Sequence, residues 1–446
     1  MNARPDLKGR PARSPRRAGL AAAVIAVVAW MACGLWNSVK PLPPGTHVTS
    51  LPARLAESQV DLIDDGSHPG ALLRRELDAV GRAERTIVLD QCPLAHELAD
   101  QLLLRKRQRP NLNIMLVTDP RNEVYGGTPA QTLTSLERAG IVVARTRLER
   151  MRDSNPLYSS AWRLSVGWWS DPFDEVPGAV TLTSSLRRHN LKADQRQLLV
   201  ADDGAGGWTS IVMSAPAAAA GAASIGLELR GHLARDIVTS ELQIAGWSTE
   251  DDRLPAAPPL ESRGVGTIDA RFLTEGAMQA ALHEAISAAG NGDTIQVMAQ
   301  AIGDRNIIEA MLRAAARGAR LQILLDAVLA DTRAAATDLV HNQAGNIEVR
   351  WQSAGPAGAR YALVRHRNDV WLDLGSADFT RRGLDDLNLE AGVELHMPAR
   401  AAAARAATDF FERAWSSGAV YAAHADESRE TYWRYRLGEA AGLGTF

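Results

Sequence analysis

The feature that most constrains this chain is a strand–helix–strand unit that occurs twice, in the same order. Thr86-Ile-Val-Leu-Asp90 is an apolar strand candidate. A helical segment follows from Leu94 to Arg107, then a second strand, Asn113-Ile-Met-Leu-Val-Thr-Asp119. In the second half, Thr294-Ile-Gln-Val-Met298, a helix from Asn306 to Arg317 and Leu321-Gln-Ile-Leu-Leu-Asp326 repeat the pattern. The distance from Ile87 to Asp119 is 32 residues, and from Ile295 to Asp326 it is 31. Units of this length imply parallel strands joined by a crossover helix, hence sheets covered by helices. Each half then offers a strand pair, Gln197–Ala201 with Thr209–Met213 and Tyr361–Arg365 with Val370–Leu374. Neither first strand is followed by a glycine-rich phosphate fingerprint, which argues against a dinucleotide-binding domain. Pro255, Pro258 and Pro259 mark the stretch from Thr249 to Pro259 as the link between halves.

Hydrophobic residues make up 46% of the 446 positions and charged residues 23%, so the chain can fill a sizeable core and does not read as disordered. The net charge of -3 and the lack of a long basic run after the N-terminus give no reason to expect nucleic acid. Cys33 lies in the N-terminal apolar run and Cys92 at the end of a strand, so no structural disulfide is expected between them. Histidines and cysteines show no ligand spacing, so neither a metal nor a cofactor is expected.

The N-terminus carries Arg4, Lys8, Arg10, Arg13, Arg16 and Arg17 before an uncharged run from Ala18 to Asn37. About 20 apolar residues cross a bilayer as a helix, and a positive flank stays in the cytoplasm. A cleaved signal peptide is the competing reading. The run is long for one, its small-residue cleavage signal is poor, and Trp30 and Met31 fit lipoprotein processing at Cys33 badly. The expected layout is a basic cytoplasmic segment (1–17), a transmembrane anchor (18–37), a Pro-rich linker (38–55), a first lobe with a Trp-rich insertion (56–248), a linker (249–262) and a second lobe (263–446). The expected location is the inner (plasma) membrane, single-pass, with the main body outside the cytoplasm.

Chemistry is concentrated in Leu374-Gly-Ser-Ala-Asp-Phe-Thr-Arg-Arg-Gly-Leu-Asp-Asp-Leu-Asn-Leu-Glu390. A fainter counterpart, Lys192-Ala-Asp-Gln-Arg-Gln-Leu-Leu-Val-Ala-Asp202 followed by Met213-Ser-Ala-Pro216, stands in the first half. The first of these resembles the G-S-x-N block of the phospholipase D superfamily and its following N-L-E. The second is similar to that family's H-x-K-x4-D strand and the block after it. The spacings agree: Gln195 to Ser214 is 19 residues and Gly358 to Ser376 is 18. The resemblance covers roughly residues 45 to 446. It implies two similar phospholipase D-like lobes with mainly parallel sheets covered by helices, an α/β fold with a pseudo-twofold axis between the motifs. In the family, one histidine attacks phosphorus and another protonates the leaving alkoxide, while lysines and Ser/Asn groups hold the phosphate oxygens.

Here the aligned positions fail. The first His and Lys fall on Gln195 and Gln197, with Asp202 retained; the second fall on Gly358 and Arg360, with Arg365 in place of Asp. The Asn of G-S-x-N is Pro216 in one half and Asp378 in the other. The loss does not depend on alignment. The lysines are Lys8, Lys40, Lys106 and Lys192, preceded two residues earlier by Asp6, Ser38, Leu104 and Asn190, so no H-x-K exists in the chain. Arg360, Ser214, Ser376 and Glu390 are the remaining phosphate-binding candidates, with Arg381 and Arg382 as possible additions. Arg360 has a competing role in surface pairing with Asp385 and Asp386, and Asp378 would repel a phosphate.

His189 with Lys192 offers a relocated nucleophile and clamp. A polar loop pair is the preferred reading, because H-x-x-K aims the two groups differently on a strand. His366 reads as part of a solvated turn with Arg367-Asn-Asp369. Trp162, Trp168 and Trp169 fit either a wedge at the membrane surface or a core helix using Trp162, Val166 and Trp169. The expected function is a membrane-anchored pseudoenzyme with a cleft for phospholipid or for a protein partner, an active relative among the candidates. The alternative is an active phospholipase D or phosphatidyltransferase-type phosphodiesterase with a non-standard nucleophile.

Overall fold

The computed structural model describes residues 15–120, 128–165, 192–217, 224–259, 264–326, 339, 345–352 and 358–420. The first lobe contains β2 (Val60–Asp64), α2 (Ala71–Arg82), β3 (Thr86–Asp90), α3 (His96–Gln108), β4 (Asn113–Thr118), α4 (Ala130–Arg138), β5 (Val142–Arg145), α5 (Pro156–Ser165), β6 (Leu198–Asp202), β7 (Trp208–Met213), β8 (Ile225–Arg230) and α6 (Leu233–Ser248). The second contains β9 (Ile268–Thr274), α7 (Gly276–Ala288), β10 (Thr294–Ala299), α8 (Arg305–Ala316), β11 (Arg320–Asp326), β12 (Ile347–Gln352), β13 (Tyr361–His366), β14 (Asp369–Gly375), α9 (Arg381–Leu384), β15 (Ala391–Pro398), α10 (Ala402–Ser417) and β16 (Ala419–Val420). Before both come α1 (Pro15–Val39) and β1 (Ala53–Leu55).

The two sheets repeat each other strand for strand. The first runs β2-β8-β7-β6-β3-β4-β5, and the second contains β9-β15-β14-β13-β10-β11-β12 in the equivalent order, flanked by β1 and β16. The register carries the equivalence to single residues. Ile87 pairs with Ala201 and Ile295 with Val364. Counting back along each strand from those partners places Gln195 with Gly358 and Gln197 with Arg360. The hairpin pairs Leu199–Ile211 and Ala362–Asp373 likewise place Ser214 with Ser376.

The sheets are mixed rather than mainly parallel, which corrects one expectation. Parallel pairing is confined to β3–β4–β5 and β10–β11–β12, where crossover helices return the chain. From β6 to β8 and from β13 to β15, consecutive strands are hydrogen-bonded neighbours and run antiparallel.

Strand alternation divides the apolar residues between two faces. Ile87 and Leu89 point to a helical layer with Leu72, Leu98, Leu102, Leu133 and Leu136, whereas Val88 joins the core shared by the lobes. In β13, Ala362 and Val364 meet Met278, Leu282, Ile307 and Met311, whereas Tyr361 and Leu363 enter the shared core. The result is four layers, helix–sheet–sheet–helix, with a common core between the sheets. α6 crosses to β9 and α10 crosses to β2, and these two strands are themselves equivalent. Tyr361 meets Phe410 and Phe411 edge-on, and Phe411 stacks on Trp415 at 5.5 Å.

Two backbone crossings stitch the lobes. β1 precedes the first lobe yet pairs with β9 of the second. Asp194 bridges Leu389 in parallel, with Leu389 N donating to Ala193 O at 2.8 Å and Gln195 N to Leu389 O at 2.9 Å.

α1 extends past the uncharged run at both ends. Its segment Gly19–Val39 is long and apolar enough to cross a membrane, and 21 residues of helix span about 32 Å. Leu20 and Ile25 are each 68% exposed, so this face has no counterpart in the protein core. Its last turns rest on α5: Trp30 Nε1 donates to Leu157 O at 3.0 Å and Asp153 N to Asn37 O at 2.9 Å. A Cβ at Gly34 would sit 2.9 Å from Ser160 Oγ, so glycine permits this approach. Of the Trp-rich stretch, Trp162 lies half-buried on α5, while Val166, Trp168 and Trp169 fall outside the described residues.

A shared core should unfold as one unit. Phe411→Ala, which removes a fully buried ring from that core, should cost about 3–5 kcal/mol. Tryptophan fluorescence and far-ultraviolet circular dichroism should report one coincident denaturant transition for wild type and variant. Two separated transitions would show that the lobes have independent cores.

Candidate functional site at the lobe interface

Most of the positions singled out by sequence lie near the start of β6 and of its equivalent in the other lobe, β13. Gln195 is exposed. Gln197 is buried; its Nε2 donates to Cys92 O at 2.8 Å, and its Oε1 has no hydrogen-bond partner among the described residues. Gly358 is buried and offers no side chain. Asp202 lies at the opposite end of β6. Its Oδ1 accepts from Arg85 N at 2.8 Å and Thr86 N at 2.7 Å, and its Oδ2 from Glu84 N and Gly204 N at 3.2 Å. Burial opposes its charge, but these backbone donors win and hold its carboxyl below the usual range. Asp202 therefore fixes the turn into β3.

Arg360 reaches across the interface, with both Nη atoms hydrogen-bonded and Nε at ion-pair distance from a carboxylate without a hydrogen bond. Its Nη1 donates to Ser214 O in the other lobe, its Nη2 to Gln300 Oε1 at 2.8 Å, and its Nε stands 3.0 Å from Asp378 Oδ2. Asp378 is anchored in turn, its Oδ1 accepting from Gln300 N at 3.1 Å and Ala301 N at 3.4 Å. The partner of Arg360 is thus Asp378. Asp386 instead meets His47 at 2.8 Å and Arg152 at 3.2 Å, and Asp385 accepts from Gln279 at 2.6 Å.

The two serines do the same work in both lobes. Ile225 N donates to Ser214 Oγ at 3.2 Å, and Ala391 N to Ser376 Oγ at 3.1 Å. Each serine N–H also bonds the facing carbonyl, Ile225 O or Ala391 O, at 2.9 Å. Both hydroxyls thereby lock the hairpin's last strand to the next one. Ser376 Oγ also donates to Glu390 Oε2 at 2.5 Å. Burial pushes the Glu390 carboxyl up to about 8; Ser376 and Arg360 oppose this rise and Asp378 reinforces it.

Sequence reasoning missed the residue between the two glutamines. Arg196 is completely buried, with Nη1 donating to Glu241 Oε1 at 2.7 Å and Ser240 Oγ at 2.9 Å, and Nη2 to Glu275 Oε1 at 2.6 Å and Gly45 O at 3.0 Å. Glu275 Oε1 also accepts from Glu390 N at 3.0 Å, and its Oε2 from His47 N at 2.7 Å. Asp90 and Asp194 lie in the same network, and burial, reinforced at Asp90 by Asp194 and Glu241, raises both carboxyls well above their usual values. The available signal was a charged residue at the start of an apolar strand, facing the core side.

Lys192 is no polar loop residue. It is buried, pairs with Asp153 and donates to Met151 O at 2.5 Å. Burial lowers its pKa to about 8, while at Asp153 the lysine overcomes the effect of burial and holds the carboxyl at about 2. Both are charged at neutral pH. His189 falls outside the described residues. His366 is tied to Asp293 at 2.6 Å, and Arg381 Nη2 donates to Ser154 O at 2.9 Å. Among the described residues, no group of three or more His, Cys, Asp or Glu is placed to hold a metal.

The arrangement is therefore an interface cluster whose polar groups are largely occupied by the protein's own bonds. Residues 282–415 match the family model described as cardiolipin synthase, phospholipase D-like domain. The solved phosphatidylserine synthase from Haemophilus influenzae Rd KW20 superposes with a TM-score of 0.60 at 11% identity, covering 88% of this chain and 96% of that one. Polyphosphate kinase from Porphyromonas gingivalis superposes with a TM-score of 0.50 at 13% identity, covering 86% of this chain and 53% of that one, so this chain spans about half of that protein. No curated protein sequence matches the chain. The second lobe thus matches a phospholipase D-like domain over residues 282–415, and the two-lobed fold is similar to that of the phosphatidylserine synthase.

Glu390 makes the framework sensitive to pH. Its folded-state pKa lies above the ordinary value of 4.5, so its contribution to stability is full below about pH 4.5 and is lost as pH rises toward 8. Glu390→Gln keeps an oxygen for Ser376 and removes the titration. The variant should lose less stability than wild type between pH 6 and pH 8.5, by on the order of 1–3 kcal/mol in denaturant midpoints converted to free energy. Parallel pH profiles would show that Glu390 is already ionised in the folded protein.

Proposed function

We propose that this is a membrane-anchored phospholipase D-like protein without phosphodiesterase activity, which engages membrane phospholipid through binding rather than turnover. The observation that carries the reading is the fate of the four H-x-K positions. The sequence resemblance assigns them to Gln195, Gln197, Gly358 and Arg360, and strand register makes the two pairs equivalent between lobes. Glutamine and glycine cannot form a phosphoenzyme as histidine does. Arg360, the remaining cation, already has an anion in Asp378 and acceptors in Gln300 and Ser214. An incoming phosphate would have to displace Asp378, and desolvated like charges repel strongly. Arg360 is thus a clamp between lobes in this reading, and lipid recognition belongs elsewhere on the surface.

The anchoring half of the proposal rests on α1, with its apolar length, its exposed faces and the basic residues before it. Cationic flanks are retained in the cytoplasm, which directs the lobes outward. Alkaline phosphatase fused after residue 45 should be active in bacterial cells. A fusion active only with a cytoplasmic reporter would overturn the orientation.

The catalytic half is tested on the purified full chain in detergent micelles. Phosphatidylcholine, phosphatidylglycerol, cardiolipin and a chromogenic phosphodiester should show no hydrolysis above a buffer control. Turnover accompanied by a covalent phosphoenzyme on any histidine would overturn the non-catalytic reading.

A further inference from the structure

On the outer face of the second lobe, a groove of about 670 Å3 opens between α7 and the sheet it covers. Ala281, Ala285 and Ala288 form the helix wall, and their short side chains leave the space unfilled. The floor is a row across four strands, Val364, Trp371, His396 and Asp269, with Arg54 of β1 at its end. The same place in the first lobe, between α2 and β2, holds only about 340 Å3. There Arg75 of α2 reaches Asp61 at 2.6 Å and Glu228 at 2.8 Å. Strand register makes Asp61 and Glu228 equivalent to Arg271 and Glu394. In the second lobe the cation therefore stands on β9, where Arg271 meets Glu394 at 2.7 Å, and α7 contains no arginine or lysine to close the gap.

The lining carries more anion than cation. Asp269, Glu284, Asp293, Asp369 and Glu394 are set against Arg54 and Arg271 alone. Both guanidiniums are already matched, Arg54 to Asp269 at 3.4 Å and Arg271 to Glu394. Asp293 holds His366 at 2.6 Å. Two carboxylates are left over. Asp369 on β14 and Glu284 on α7 are exposed, and their side chains have no hydrogen bond or ion pair among the described residues. One belongs to the floor and the other to the helix wall, and both line the groove. Trp371 lies two residues from Asp369, on the same face of β14, and its indole ring adds an attraction for a cation. No group of three or more His, Cys, Asp or Glu is placed to hold a metal among the described residues, and the alanine wall offers such an ion nothing. A ligand with ammonium groups on an aliphatic chain meets the carboxylates, the indole and the alanines together.

We propose that this groove binds an aliphatic di- or polyamine, its ammonium groups on Asp369 and Glu284 and its chain between Trp371 and the alanines of α7. The volume is that of a small-molecule site. A single indole does not cage a quaternary ammonium, whereas a primary ammonium donates hydrogen bonds that both carboxylates can accept. The site is separate from the lobe interface and goes beyond the lipid-binding reading. Its failure would leave that reading untouched.

The test is isothermal titration calorimetry on the full chain in micelles of a neutral detergent. The probes are 1,6-diaminohexane and its uncharged analogue 1,6-hexanediol. The diamine should bind at least tenfold more tightly than the diol. Asp369→Asn and Glu284→Gln should each weaken the diamine about tenfold, the size of a lost charge-assisted bond. Asp369→Glu, which keeps the charge, should preserve binding, and Ala285→Trp, which fills the groove, should abolish it. Both charge-removing changes lie at exposed side chains, so melting temperatures should stay within a few degrees of wild type. Equal affinity for diamine and diol, no diamine binding by wild type at millimolar concentration, or unchanged binding in both charge-removing variants overturns the site. Tighter binding of trilysine amide than of the diamine would overturn the small-molecule ligand and assign the groove to a basic peptide.

Discussion

A single guanidinium buried in the interface holds the most distant parts of this chain in place. Arg196 bonds the carbonyl of Gly45 before the first lobe, Ser240 and Glu241 on α6, and Glu275 at the entry to α7. Through Glu275 the same network reaches His47 N and Glu390 N. A charge in such a place is tolerable only with full pairing, because removing one partner of a buried ion pair costs about 3–5 kcal/mol. The surrounding carboxylates outnumber the cation, so burial raises the carboxyls of Asp90, Asp194 and Glu275. Lobe geometry and interface protonation are therefore coupled.

The pseudo-twofold symmetry shows what the two lobes share and where they differ. Ser214 and Ser376 make the same backbone bonds in both lobes, because each locks the end of a hairpin to the next strand. That role is structural and does not require a phosphate. The positions at the start of β6 and just before β13 differ between lobes: Gln197 bonds the carbonyl of Cys92, whereas its equivalent, Arg360, spans the interface to Ser214. At the position that the resemblance aligns with a lysine, an arginine paired to Asp378 forms a contact between lobes. The planar guanidinium suits that role, since it can meet a carboxylate, an amide oxygen and a carbonyl together.

The repeat was legible because it is written in local pattern. Short apolar strands, an intervening helix and a fixed spacing predicted β3, α3, β4 and β10, α8, β11 closely, and the equivalence of Gln195 with Gly358 agrees with the observed register. The excess of antiparallel pairing was less visible, because strand direction depends on which distant strand becomes the neighbour. Arg196 escaped for the same reason. Its partners lie at Gly45, Glu241 and Glu275, which nothing in the sequence places together. Lys192 read as a solvated loop residue because Asp153 is far from it in sequence.

By itself, the sequence determined the two-lobed α/β class, the apolar N-terminal helix and the absence of any H-x-K, since each is a matter of composition, period or simple presence. Only the tertiary structure decided the state of the surviving polar groups. Whether Arg360 is a free phosphate clamp or a closed contact depends on whether Asp378, Gln300 and the carbonyl of Ser214 lie within about 3 Å of it, and that is set by packing one sheet against another. Whether Glu390 carries charge depends likewise on how completely the second lobe buries it. Charge and hydrogen bonding act over ångströms in space, and residues from 214 to 378 meet at one guanidinium only after the lobes have closed around their common core.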